Sequence, residues 1–91
     1  MSIVVRFHPA NLTAENYDAV NAKAEEVGFP AEGLDYHVCF GSPGNLMVSE
    51  IWDSREQFEA FGEKLMPVLA EAGIEFAAEP DVFEVHNIVK R

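Results

Sequence analysis

The chain has 91 residues, which suffice for one domain, 1–91, with a modest hydrophobic core. It carries 16 acidic and 6 basic residues, a formal charge of −10. That charge argues against nucleic acids and anionic membranes as partners, because both favour a basic surface. Hydrophobic residues make up 48% of the chain, a globular composition, and no stretch approaches the roughly 20 apolar residues of a membrane span.

The cysteine content and the first residues predict where the protein resides. Cys39 is the only cysteine, so no disulfide can form within the chain. The start, MSIVVRF, lacks the charged and long apolar regions of a secretory signal. Both features predict the reducing cytoplasm. Val38 and Phe40 flank Cys39, which favours a small apolar filler in a strand over a reactive thiol.

The first third of the chain predicts a strand followed by a helix. Residues 3–7 form a β-branched and aromatic run that Pro9 ends. Thr13 is a suitable N-cap, and Gly28 is a suitable residue to end the helix. Between them the apolar residues recur at spacings of three and four, as one helical stripe requires. These residues are Tyr17, Val20, Ala24 and Val27.

The rest of the chain predicts a hairpin, a second helix and a last strand. Residues 34–40 and 46–52 read as strands joined by the turn formers of 41–45. Ser54 and Gln57 predict a capping box, and Pro67 falls inside the helix that follows. Residues 82–89 predict the fourth strand. The order β-α-β-β-α-β predicts an α+β, ferredoxin-like fold with antiparallel strands in the order 4-1-3-2 and both helices on one face.

The sheet face without helices predicts a partner. Alternation along the strands gives neither face enough polar residues to lie bare in water. The simplest cover for an apolar face is the same face of a second copy, related by a two-fold axis. We therefore predict a homodimer that forms through the helix-free face of the sheet.

One segment resembles a known family. Glu50-Ile51-Trp52-Asp53-Ser54 ends a strand, and Phe58 and Phe61 follow on a helix. This arrangement, with the strand order, resembles the dimeric α/β-barrel proteins of the antibiotic-biosynthesis-monooxygenase type, over nearly the whole chain. Such proteins include cofactor-independent oxygenases of polycyclic phenols, haem-degrading enzymes, quinol oxygenases and proteins of no known activity. The resemblance implies that Trp52 lines a cleft between sheet and helices and that no cofactor is needed.

The chain departs from that family at two positions. Active members often carry an Asn near the end of the first strand, where this chain has His8. Haem-degrading members use a His about ten residues after the Trp, where this chain has Phe61-Gly62-Glu63. The second departure argues against haem degradation.

Nine residues are candidates for a site. The predicted catalytic residues are His8, His37 and Trp52; the predicted substrate-binding residues are Tyr36, Phe40, Glu50, Phe58, Phe61 and His86. Histidines ordinarily titrate near neutral pH and can act as general bases, but each can also be a hydrogen-bonded structural residue. The three histidines have no short ligand spacing, so no metal site is predicted.

Several roles stay open at this point. Trp52 is either a core residue or a pocket wall. Glu50, on a mostly buried strand face, is expected to pair with Arg6 across neighbouring strands or to have a raised pKa. His8 and His86 could share the helix-free face and line the barrel interior with Arg6 and Glu84.

Two functional hypotheses follow. The first is a cofactor-free oxygenase whose aromatic or quinol-type substrate lies against Trp52, Phe58, Phe61 and Tyr36. His8 or His37 would help to form a substrate anion that reacts with O₂. The second is a non-catalytic dimeric barrel that binds a small apolar ligand or serves as an accessory module.

Overall fold

The structure, a computed structural model, describes residues 2–91 and has the predicted order of elements. The strands are β1 (Ile3–Pro9), β2 (Leu34–Ser42), β3 (Asn45–Trp52) and β4 (Phe76–Glu84), and the helices are α1 (Ala14–Glu26) and α2 (Arg55–Glu71). The strands form one antiparallel sheet in the order β2-β3-β1-β4. This is the predicted order read from the other edge, so the ferredoxin-like α+β fold is confirmed.

Both helices begin at the predicted caps. The Thr13 hydroxyl accepts from the backbone N–H of Asn16 at 3.2 Å, and the Asn16 side chain accepts from the Thr13 N–H at 2.7 Å, a complete capping box. The Ser54 hydroxyl accepts from the Gln57 N–H at 3.2 Å. It also donates to the Gln57 side chain at 3.0 Å, so the capping box predicted for α2 is a simple N-cap in which the two side chains bond each other.

The last strand differs from its prediction of 82–89. It begins opposite Pro9 at Phe76 and ends opposite Ile3 at Glu84. The length of β1 therefore limits β4, because a strand cannot extend its ladder beyond its partner. The apolar run continues past that point, but residues 85–91 lie outside the sheet.

The hydrophobic core lies between the sheet and the helices. One cluster joins Ile3, Val5 and Trp52 on the sheet to Phe61 on α2, and all four are at most 6% exposed. A second cluster surrounds Val48. The helices thus cover the sheet face that carries Val5 and Trp52, which agrees with the predicted two-layer arrangement.

The opposite sheet face is rich in exposed apolar side chains. Tyr36 and Phe83 are 48% and 59% exposed, and Phe40 is 37% exposed. The ladder places Tyr36 opposite Ile51, which in turn lies opposite Val4. We call this surface the helix-free face. Within residues 2–91, neither helix is long and apolar enough to cross a bilayer.

Candidate functional site

Trp52 is buried in the hydrophobic core. It lies at the end of β3 on the helix-facing side and is 1% exposed. Its ring packs against two phenylalanines of α2, with centroids 5.9 Å from Phe58 and 6.0 Å from Phe61. The helical spacing that puts both phenylalanines on one face of α2 thus forms an aromatic group around the indole.

Glu50 is a buried acid that bonds two neighbours. It is 5% exposed, two residues before Trp52 on the same strand face. Its Oε1 accepts from the Trp52 indole N–H at 3.0 Å. Its Oε2 lies 2.6 Å from Nδ1 of His37, the residue opposite it on β2. The indole and the imidazole thus satisfy a carboxylate that would be costly to bury alone.

The predicted ion pair between Glu50 and Arg6 is wrong. The β1–β3 ladder places Val5 opposite Glu50, and Arg6 opposite Ser49. Because successive side chains point to opposite faces, Arg6 projects from the helix-free face and is exposed there. Glu50 projects toward the helices, where His37 and Trp52 take the place that the sequence assigned to Arg6.

Tyr17 completes this hydrogen-bonded chain, and its role was missed by the sequence analysis. Its hydroxyl lies 2.7 Å from Nε2 of His37, and the two rings stack with centroids 6.0 Å apart. The helical spacing predicts Tyr17 as part of the apolar stripe of α1. The one available signal was a phenol in a stripe of otherwise aliphatic residues.

The Tyr17 phenol is held in its protonated form. Burial raises its pKa, and the nearby acidic groups of Cys39, Glu50 and Asp18 raise it further. A protonated phenol can donate to Nε2 of a neutral His37, whose Nδ1–H then donates to Glu50. The two ring nitrogens of His37 would then have opposite roles, one as acceptor and one as donor.

Two neighbouring cavities meet at Glu50. The larger, about 410 Å³, lies between the sheet and α2. Its lining includes Phe7, Glu50, Trp52, Phe58, Phe61, Leu65, Phe76 and Glu79. The smaller, about 80 Å³, lies under α1 and is lined on its polar side by Tyr17, His37 and Asn21. The volume of the larger cavity is in the range of small-molecule sites, and its walls are almost entirely apolar.

The structure does not bring all the predicted site residues together. Tyr36 and Phe40 lie on the helix-free face, so neither lines the cavity beside Trp52. The cause is a β-bulge in β2 between Leu34 and Tyr36. Leu34 packs in the helix-covered core, and the extra residue turns His37 rather than Tyr36 toward the helices.

The other two histidines also lie away from this cavity. His8 bonds Asp81 at 2.8 Å between β1 and β4, on the helix-free side. His86 follows the end of β4 and is exposed, so it does not share a pair of adjacent strands with His8 as predicted. Of the three histidines, His37 is the one that lines a cavity of the helix-covered side.

Cys39 lies in β2 and is partly buried. Burial, with a smaller effect from Asp18, raises the pKa of the Cys39 thiol, which agrees with its prediction as an unreactive filler. Over residues 2–91, no group of three or more His, Cys, Asp or Glu side chains could hold a metal ion.

Fold and cavity define an α+β, ferredoxin-like domain with a ligand-sized space between its sheet and its helices. This is the fold of the antibiotic-biosynthesis-monooxygenase type, and the resemblance seen in the sequence is confirmed at the level of the fold. No protein-family model matches the chain, and no curated protein matches it.

Several solved structures superpose on this chain over nearly its whole length. MupZ from Pseudomonas fluorescens superposes with a TM-score of 0.74 at 11% identity, covering 99% of this chain and 94% of MupZ. SnoaB, a cofactor-independent oxygenase from Streptomyces nogalater, superposes with a TM-score of 0.63 at 16% identity, covering 99% of this chain and 96% of SnoaB. A candidate antibiotic biosynthesis monooxygenase from Chloroflexus aurantiacus superposes with a TM-score of 0.62 at 18% identity, covering 98% of this chain and 95% of that protein. At these identities the similarity establishes the fold and leaves activity to the site.

Proposed function

We propose that the protein is a cofactor-independent oxygenase that acts on a small aromatic or quinol-type substrate in the larger cavity beside Trp52. The observation that carries this proposal is the buried Glu50 carboxylate, bonded to Trp52 and His37 at the wall of a largely apolar cavity. A cofactor-independent oxygenase, SnoaB, has the same fold, which supports the reaction class as an analogy.

The reaction begins with removal of a proton. Glu50 lines the cavity, so its carboxylate can accept an acidic phenolic or benzylic proton from a substrate stacked on Trp52. The bond from His37 holds the carboxylate in position. Apolar walls such as Phe58 and Phe61 lower the local dielectric around Glu50, which strengthens the electrostatic interaction of its carboxylate with the substrate.

The resulting anion supplies all the electrons that O₂ needs. For a substrate with a benzylic CH₂, as in an anthrone, one oxygen atom forms the new C=O bond. The O–O bond breaks, and the other oxygen leaves as water with the two hydrogens of the CH₂. The carbon loses four electrons and O₂ gains four, so no other reductant enters.

Of the two histidines predicted to be catalytic, we assign a positioning role to His37, which acts through its bond to Glu50 and lines the smaller cavity rather than the larger one. His8 pairs with Asp81 on the other side of the sheet, away from Trp52. Tyr36 and Phe40 leave the proposed substrate-binding set for the same reason, while Phe58, Phe61 and Trp52 remain in it.

Oxygen consumption tests this proposal. The purified protein is incubated with a panel of anthrones and quinols, and uptake of O₂ is compared with that of Glu50→Gln. We expect turnover in the wild type and a loss of about 100-fold in Glu50→Gln, a typical effect of losing a general base. Glu63→Gln makes the same change on the exposed side of α2 and serves as the control. No uptake by a folded wild type on any substrate would remove the oxygenase proposal.

A second candidate function is non-catalytic binding of an apolar ligand. In residues 2–91, no buried side-chain nitrogen or oxygen lacks a hydrogen-bond partner. The polar network is therefore satisfied without a substrate, as a structural element would be. Binding of an aromatic ligand without oxygen uptake would favour this function.

We also propose that the protein forms a homodimer through its helix-free face. Tyr36, Phe40 and Phe83 give that face large apolar groups that would otherwise remain in water. Pairing the same face of two copies buries these groups with a closed two-fold symmetry. Light scattering after size exclusion distinguishes this dimer from a monomer.

A further inference from the structure

The larger cavity offers a hydrogen-bond acceptor without a free side-chain donor. Among the described residues 2–91, the polar side chains of its lining are the indole of Trp52 and the carboxylates of Glu50 and Glu79. The indole N–H is already donated to Glu50. A ligand in this space therefore finds carboxylate oxygens and aromatic surface, and no side chain ready to donate to it.

Glu50 keeps the capacity to accept a further bond. A carboxylate offers about four lone-pair positions, and the indole of Trp52 and the imidazole of His37 occupy two of them. The indole belongs to the same strand as Glu50 and the imidazole to the neighbouring strand β2, and Glu50 itself lines the cavity. A donor on a ligand can thus reach a charged acceptor that the protein holds in position.

The cavity also lacks a cation for an anionic ligand. No Lys, Arg or His belongs to the lining among residues 2–91, and both ionisable groups that do are acids. A ligand carboxylate would lose its hydration beside two like charges, which costs free energy that nothing in the lining offsets. The formal charge of −10 on the whole chain adds repulsion at longer range.

We infer that the larger cavity selects planar aromatic ligands that donate a hydrogen bond and carry no negative charge, binding phenols and quinols in preference to quinones and aromatic acids. That the selected quinol is a substrate rests on the function proposed above. When a quinol passes two electrons and two protons to O₂, giving the quinone and H₂O₂, its hydroxyl donors become carbonyls and turn an oxygen lone pair toward Glu50. The cavity then has no bond to offer the product, which favours its release.

The inference is tested with three naphthalenes that share one ring system. Binding of 2-naphthol, 2-methoxynaphthalene and 2-naphthoate to the wild-type protein is measured by isothermal titration calorimetry at pH 7 without oxygen. We expect 2-naphthol to bind at least about tenfold tighter than the methoxy compound, because a hydrogen bond to a charged acceptor is lost. The naphthoate should bind more weakly than both.

A matched pair of variants assigns the selectivity to Glu50. Glu50→Gln removes the charge and adds an amide donor, so it should reduce the preference for 2-naphthol over 2-naphthoate by at least about tenfold. Glu79→Gln removes an equal charge from an exposed residue of the lining and should change that preference much less.

Three results would overturn the inference. They are naphthoate or methoxynaphthalene binding to the wild type as tightly as naphthol, no binding of any of the three, and an unchanged preference in Glu50→Gln. If that variant fails to fold, the wild-type series alone decides. Because the measurement involves no turnover, its failure is distinct from failure of the oxygenase proposal, which is an absence of oxygen uptake.

Discussion

Nδ1 of His37 lies 2.6 Å from Oε2 of Glu50, and the two residues face each other across β2 and β3 on the helix-covered side of the sheet. The same carboxylate accepts from Trp52, and the same imidazole bonds Tyr17. A carboxylate, an imidazole and a phenol are thus connected across two apolar cavities. In this chain of hydrogen bonds, Glu50 is the group that can accept a proton from a ligand, and His37 holds it in position.

The buried pair is expected to matter for stability. His37→Leu leaves Glu50, which is 5% exposed, with the Trp52 indole as its remaining side-chain partner. We expect a loss of about 3 kcal/mol in the free energy of unfolding, because a buried carboxylate is left short of donors. Urea unfolding at fixed protein concentration measures it.

The chain supplies a matched control for that measurement. His8 and Asp81 also form a histidine–carboxylate pair, at 2.8 Å, but their side chains are 30% and 47% exposed. His8→Leu should therefore cost less than about 1 kcal/mol. Equal losses in the two variants would mean that the burial of the His37 pair has no energetic consequence.

Tyr17 should make stability depend on pH in the alkaline range. Burial raises the pKa of this phenol above its ordinary value of 10.0, so the folded protein holds the proton more tightly than the unfolded chain. The stabilisation is fully present below pH 10 and is lost as the pH rises through the folded-state pKa. Tyr17→Phe should therefore flatten the fall in unfolding free energy above that pH.

Chemical unfolding at a series of pH values from neutral to alkaline checks this. The thiol of Cys39, whose pKa is also raised by burial, contributes in the same direction, so the comparison is best made with Cys39→Ala in both proteins. Tyr36→Phe controls for the loss of a phenol from the helix-free face. A fall that is equally steep with and without Tyr17 would contradict the expectation.

Activity should distinguish between two histidines that the sequence treats alike. If the site works as proposed, His37→Gln lowers the rate of oxygen uptake far more than His8→Gln does. The reason is position, since His37 bonds Glu50 at the cavities and His8 bonds Asp81 on the other side. A larger loss from the His8 change would place the chemistry on the helix-free side and contradict the assignment.

The helix-free face should control assembly. Light scattering after size exclusion is expected to give twice the 10.1 kDa mass of one chain at micromolar concentration. Phe83→Lys puts a charge on a residue that is 59% exposed in the single chain and should shift the mass toward a monomer. Met66→Lys, at a 58% exposed position on α2, is the control. A monomeric wild type would end the dimer proposal.

The sequence by itself determined the elements and their order. Periodicity of two and of about 3.6 separates strands from helices, and Thr13 and Ser54 mark where the helices begin. Glu50 and Trp52 could be assigned to one strand face because they are two residues apart. These signals are local, so they can be read without knowing what lies opposite.

Only the tertiary structure decided which side chains meet. Alternation cannot show a bulge, and the one before Tyr36 turns His37 toward the helices and Tyr36 away from them. Alternation also cannot show that the partner of Glu50 is His37 rather than Arg6. That choice depends on the register between neighbouring strands, which decides which residues lie opposite each other on the same face of the sheet. Tyr17 reaches His37 only because α1 packs across β2. Contacts of this kind depend on register and packing between distant segments, which no local pattern encodes.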